Sequence, residues 1–127
     1  MSGQQVHVMR LYQRIRRRIK TIRASNRKVD FVIAGMQKGG TTALDRYLRM
    51  NPQVCMANKK EVHFFDNEKL FRGDRPNYAI YHSFFDLKPQ HQILGEASPI
   101  YMYWRNAPNR LWKYNPKMKI LLILRNP

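Results

Sequence analysis

A short apolar run, Phe31-Val32-Ile33-Ala34, leads directly into a glycine-rich loop and then into a helix-forming stretch from Ala43. No other feature constrains the chain as strongly. The apolar run reads as a buried strand. The loop, Gly35-Met36-Gln37-Lys38-Gly39-Gly40-Thr41-Thr42, holds three glycines, one lysine and two threonines. Glycines allow tight backbone turns, so several N–H groups can converge on one anion. The helix that follows adds its positive N-terminal end, and the threonines add hydroxyl donors. This is a phosphate cradle.

The position of the lysine narrows the ligand. A nucleoside-triphosphate loop of the form G-x-x-x-x-G-K-[ST] places lysine directly after its last glycine. Gly35 and Gly40 have that spacing here, but Thr41 stands in the lysine's place and the lysine comes earlier, at Lys38. A glycine-rich strand–helix turn with no ligand is the plain structural alternative.

The rest of the chain alternates in period. A helix is expected over about 42–50, ended by Asn51-Pro52. Further strands are expected at Val54–Ala57, Ile93–Gly95 and Met118–Leu124, with helices at Asn77–Phe85 and Ala107–Tyr114. Strands that are apolar throughout and alternate with helices imply a parallel sheet covered on both faces. The fold class expected is therefore α/β: three layers in a P-loop-like arrangement, helices flanking a parallel sheet.

Charge separates a leader from this domain. The chain of 127 residues has a formal net charge of +16, from 24 Lys/Arg against 8 Asp/Glu. Residues 1–28 carry nine of the basic residues and no acid, leaving fifteen basic and eight acidic residues in 29–127. Within the leader, Leu11, Ile15, Ile19 and Ile22 fall at helical spacing among Arg14, Arg16, Arg17, Arg18, Lys20 and Arg23. Contact with a polyanion or a membrane surface through residues 10–28 is one reading, and a helix packing its apolar stripe on the domain is the other. No run approaches the length of a transmembrane helix. The lone Cys55 excludes an internal disulfide, gives no metal-site spacing, and suits a buried strand thiol in a reducing, cytoplasmic compartment.

A second constellation follows the second strand: Lys59-Lys60-Glu61-Val62-His63-Phe64-Phe65-Asp66. Loops leaving the C-terminal ends of parallel strands line the ligand crevice, where Lys38 also lies. In an extended loop Glu61 and His63 share one face and Val62 and Phe64 the other. A carboxylate beside an imidazole can accept a proton from an acceptor hydroxyl. A surface loop with Phe64 and Phe65 tucked into the core is the alternative.

Taken together, G-M-Q-K-G-G-T-T, K-E-V-H-F-F-D, G-E-A-S-P-I-Y and I-L-L-I-L-R-N-P resemble, in order, the motifs of heparan-sulfate-type sulfotransferases and their bacterial relatives. The resemblance runs from about Phe31 to Pro127. It implies an enzyme that transfers a sulfuryl group from 3′-phosphoadenosine 5′-phosphosulfate (PAPS) to a hydroxyl or amine of a small-molecule or carbohydrate acceptor, without a metal. It implies that Lys38, Gly39, Gly40, Thr41 and Thr42 hold the phosphosulfate and that Arg125 contacts the 3′-phosphate. Glu61 would be the catalytic base, with Lys38 and His63 as the other catalytic groups. A P-loop kinase or other nucleotide binder, and a non-catalytic basic polyanion-binding module, are the competing classes.

Two departures from the family pattern stand out. Many relatives carry lysine after the glutamate of the third motif, whereas this chain reads Glu96-Ala97-Ser98-Pro99. Relatives also continue past the position of Pro127, into a helix whose serine binds the 3′-phosphate. The expectation is thus the amino-terminal part of a sulfotransferase domain, marginally stable alone, with the apolar face of Ile120–Leu124 uncovered. Tyr101, Tyr103 and Trp104 are further candidates for an acceptor cleft.

Overall fold

The computed structural model describes the backbone of residues 2–25 and 27–126 and the side chains of residues 2–16 and 27–126. Helix α1 spans Gly3–Ser25 and is followed by β1 at Phe31–Gly35 and α2 at Thr41–Met50. Strand β2 (Val54–Met56) leads through a 3₁₀ turn at Glu68–Phe71 to α3 (Tyr78–His82). Strand β3 (Ile93–Ala97), a second 3₁₀ turn (Pro99–Met102), α4 (Ala107–Tyr114) and β4 (Lys119–Leu122) complete the order.

The four strands form one parallel sheet in the order β2-β3-β1-β4, as their largely apolar character and alternation with helices imply. Strand β1 is central, pairing Val32 with Glu96 of β3 and with Ile120 of β4. Gly95 lies opposite Phe31, and a Cβ there would come within 2.0 Å of the Phe31 ring. Only glycine lets that ring lie across the strand.

Alternation along β1 feeds two apolar clusters, one on each face of the sheet. Val32 and Ala34 join Leu94, Phe64, Phe65, Tyr81, Tyr101, Leu111 and Tyr114. Phe31 and Ile33 join Val54, Met56 and Ala97, covered by Leu44 and Leu48 of α2. The first cluster is unusually aromatic. Phe65 meets Tyr81 and Tyr101 edge-on at 5.0 and 5.7 Å between ring centres, a favoured geometry for ring pairs.

The helix expected over Asn77–Phe85 is shorter than its aromatic spacing suggests. Asn77 caps its start by accepting from the Ala79 amide, but the helix ends at His82. Beyond it the chain turns so that the Phe84 carbonyl accepts from the Asn58 amide at 2.7 Å and Phe85 enters the core. Tertiary contacts override the helical period there.

Strand β4 is the edge of the described sheet on the β1 side. Ile120, Leu121 and Leu122 are 49, 38 and 49 % exposed, which matches the uncovered face expected from their sequence. In α1, Val8, Leu11, Tyr12 and Ile15 are all exposed, so this part of the apolar stripe does not pack on the domain. The side chains of Arg17, Arg18, Ile19, Lys20, Ile22 and Arg23 lie outside the described residues. Among the described residues no helix is long and apolar enough to cross a membrane.

Candidate active site

The C-terminal ends of the parallel strands gather the two motifs at one edge of the sheet. The loop at 36–40 leaves β1 and is fixed against the end of β4: the Met36 amide donates to the Ile123 carbonyl at 3.1 Å, and the Ile123 amide to the Gly35 carbonyl at 2.9 Å. A Cβ at Gly39 would lie 2.8 Å from the Ile123 carbonyl oxygen, so this close approach requires glycine. Gly40 caps α2 with a φ of 100°, and open space surrounds the position a Cβ would take. Lys38 is exposed and Thr41 is buried at the helix start. Arg125 follows Ile123 by two residues and is exposed.

The second motif closes on the first. Lys60 Nζ donates to the Thr42 hydroxyl at 2.9 Å and lies 3.8 Å from Glu61 Oε1. Glu61 in turn faces His63, with Oε2 at 3.5 Å from Nε2. The other ring nitrogen, Nδ1, lies 2.8 Å from Asp66 Oδ2. A carboxylate offers only acceptors, so the tautomer that pairs with Asp66 has its proton on Nδ1. Nε2 then keeps a lone pair, able to receive a proton that Glu61 has taken up. Asp66 Oδ1 is buried without a hydrogen-bond partner among the described residues.

Glu61 and His63 meet, but not by the extended alternation expected of them. Glu61 has φ 59° and His63 φ 55°, both left-handed, and Lys38 has φ 60°. Among the described residues these are the non-glycine positions with positive φ. Such conformations cost of order 1–3 kcal/mol each and persist only where the surroundings enforce them. Here the enforcement is visible. The Glu61 amide donates to the Ala97 carbonyl at 2.7 Å, and Phe64 and Phe65 are fully buried. Arg110 Nη1 donates to the Phe65 carbonyl at 2.9 Å.

Beneath this loop sits Glu96, completely buried on β3. Its Oε1 accepts from the Tyr81 and Tyr101 hydroxyls, each at 2.8 Å, and its Oε2 from the Ser98 hydroxyl at 2.8 Å. Burial pushes its carboxyl up to about 7, against the opposing pull of the three hydroxyl donors. Farther out, Glu68 accepts from Arg110 Nη2 at 2.7 Å and from Trp104 Nε1 at 2.9 Å, which draws its carboxyl down to about 2.

Sequence reasoning assigned Lys38, Glu61 and His63 but missed Asp66, Lys60 and Glu96. Asp66 stands three residues after His63, a spacing that brings its carboxylate to the Nδ1 of the imidazole. Lys60 carries no sequence signal beyond adjacency to Glu61. Of the acceptor-cleft candidates, Tyr101 is buried on Glu96, Trp104 is committed to Glu68, and Tyr103 is exposed. Chemically the site offers an anion seat next to a carboxylate–imidazole–carboxylate chain able to take up and share a proton. No group of residues suited to holding a metal ion occurs among the described residues.

Known proteins resemble this chain over most of its length. A family model described as "Sulfotransferase domain" matches residues 28–127. Heparan sulfate glucosamine 3-O-sulfotransferase 5 of Mus musculus is 35% identical over 131 residues, covering 99% of this chain and 32% of that protein. Heparan sulfate glucosamine 3-O-sulfotransferase 6 of Homo sapiens is 38% identical, covering 76% of this chain and 26% of its own length. The membrane-associated sulfotransferase kil1 of Dictyostelium discoideum is 32% identical over 77% of this chain and 20% of its own length. The chain thus spans about a third or less of these curated relatives. The crystal structure of a sulfotransferase from Alicyclobacillus acidocaldarius superposes with a TM-score of 0.64 at 29% identity, over 76% of this chain and 44% of that one. The parallel sheet and the extent of these matches lead to one conclusion: the chain belongs to the sulfotransferase domain family.

Proposed function

We propose that this protein transfers a sulfuryl group from PAPS to a hydroxyl or amine of a carbohydrate acceptor. The observation that carries the reading is the Lys60–Thr42 hydrogen bond, which sets the proton-accepting chain of Glu61, His63 and Asp66 beside the anion loop. A proton acceptor and a leaving-phosphate seat are the two things this reaction needs.

The residues present fit such a donor. When bound, PAPS supplies the sulfuryl group, and negative charge grows on the phosphate that departs. Lys38, the amides of the loop and the N-terminus of α2 offer positive charge and donors for that phosphate. The forked guanidinium of Arg125 suits a phosphate dianion such as the 3′-phosphate. Glu61 accepts the proton of the acceptor hydroxyl. His63 Nε2 shares that proton, and Asp66 stabilises the imidazolium that results.

The names of the relatives support a carbohydrate acceptor, and a sulfated or carboxylated glycan suits the net charge of +16. The exposed arginines of α1, Arg10, Arg14 and Arg16, are the contact we assign to that polyanion. The test is transfer of radiolabelled sulfuryl from PAPS to glucosamine-containing glycans. Label in the glycan supports the reading, and label incorporation no higher than without protein overturns it.

A further inference from the structure

Glu96 takes no part in the chemistry above, yet it is the most polar group in the core. A buried carboxylate is costly, and an apolar side chain would fill the same space more cheaply. Two of its three partners explain what it does. The Ser98 hydroxyl donates to Glu96 Oε2 at 2.8 Å and accepts from the His63 amide at 3.4 Å. The Tyr101 hydroxyl donates to Glu96 Oε1 at 2.8 Å and accepts from the Phe64 and Phe65 amides at 3.3 and 3.4 Å.

A hydroxyl has one hydrogen and can turn it to any acceptor in reach. When ionised, Glu96 takes both hydrogens and leaves the hydroxyl lone pairs for three successive amides of the loop. Those amides belong to the segment in which Glu61 and His63 adopt left-handed backbone. Tyr81 donates to Glu96 from the side of α3 at 2.8 Å. Asp66, the nearby carboxylate on the loop, raises the Glu96 carboxyl further.

We propose that Glu96 is a positioning residue, orienting the Ser98 and Tyr101 hydroxyls so that they hold the backbone of residues 63–65 and thereby aim Glu61 and His63. The proposal rests on the reading of Glu61 as the base, but its structural half stands apart from catalysis.

Amide hydrogen exchange in the full chain tests it. In Glu96→Gln, exchange at His63, Phe64 and Phe65 should quicken at least about tenfold while Val32 and Leu94 stay within about twofold. Ser98→Ala should quicken His63 alone, and Tyr81→Phe should leave all three loop amides within about twofold of the parent. Uniform acceleration across β1 and β3, or none at the loop, overturns the proposal, because either marks Glu96 as ordinary core. In the transfer assay Glu96→Gln should lower kcat about tenfold or more with KM for PAPS nearly unchanged. A rise in KM with kcat intact would also overturn it. A parent that transfers nothing defeats the functional reading while leaving the exchange pattern to decide this one.

Discussion

Lys60 Nζ sits 2.9 Å from the Thr42 hydroxyl, so a residue of the loop after β2 is bonded to the first turn of the helix after β1. The two motifs are eighteen positions apart in sequence at this contact. Their junction places the charge of Lys60 between the anion loop and Glu61, 3.8 Å from the carboxylate. Glu61, the proposed base, is thereby held beside the proposed donor seat.

This contact should be measurable as a coupling. A double-mutant cycle of Thr42→Ala and Lys60→Ala is expected to give a coupling of about 0.5–1.5 kcal/mol in thermal or denaturant stability, since the bond is exposed and singly charged. A coupling indistinguishable from zero would show that the two loops are juxtaposed but not bonded.

The base and its helper should separate in kinetics. Glu61→Gln keeps shape and removes the proton acceptor, so turnover should fall about 10²–10⁴-fold with donor affinity little changed. His63→Ala should be milder, because the imidazole shares the proton rather than taking it first. If the histidine variant proved the more severe, the two roles would have to be exchanged.

How much of this was legible in the sequence depends on the range of the interactions. The glycine-rich loop is written contiguously, because a strand, a glycine-rich turn and a helix start are all local. The four strands were readable as apolar runs, and all-apolar strands already implied parallel pairing. The loop of Glu61 and His63 stood out in the sequence, but its backbone did not: the left-handed Glu61 and His63 are imposed by Ala97, Ser98 and Tyr101, about 35 residues away. For the same reason Glu96 read as a polar residue in a motif rather than as the hub under the loop. Its three hydroxyl partners converge only after β3 and α3 pack together. The shortened α3 has a like cause, since Asn58 claims the carbonyl of Phe84.

Stability should depend on pH through two carboxyls with opposite signs. Glu96 is raised from 4.5 to about 7, so the folded state holds a proton that the unfolded state releases in that window. Its contribution is fully present below about pH 4.5 and is lost as pH rises through about 7. The difference corresponds to about 3 kcal/mol. Glu68, lowered to about 2, acts the other way: its contribution is present above about pH 4.5 and is lost as pH falls toward 2. Denaturant titrations from pH 4.5 to 7.5 should show the parent losing stability and Glu96→Gln losing much less. Equal slopes in the two proteins would mean that Glu96 is already ionised throughout.

The edge at β4 should govern solubility. Ile120, Leu121, Leu122 and Leu124 present a row of exposed apolar side chains on an edge strand. Leu122→Lys is expected to raise the soluble fraction of the chain and lower light scattering on heating, with stability changed by no more than about 1 kcal/mol. Unchanged aggregation would place the sticky surface elsewhere, the apolar stripe of α1 being the next to test.

The most direct test of the donor seat is calorimetric titration with adenosine 3′,5′-bisphosphate and with ATP plus Mg²⁺, on the parent and on Lys38→Ala. The account predicts one-to-one binding of the bisphosphate, much weaker binding of ATP, and loss of about 1.5–3 kcal/mol of binding when Lys38 is removed, as for a hydrogen bond to a charged group. Binding of ATP with Mg²⁺ as tight as that of the bisphosphate, or bisphosphate binding that survives Lys38→Ala unchanged, would contradict it.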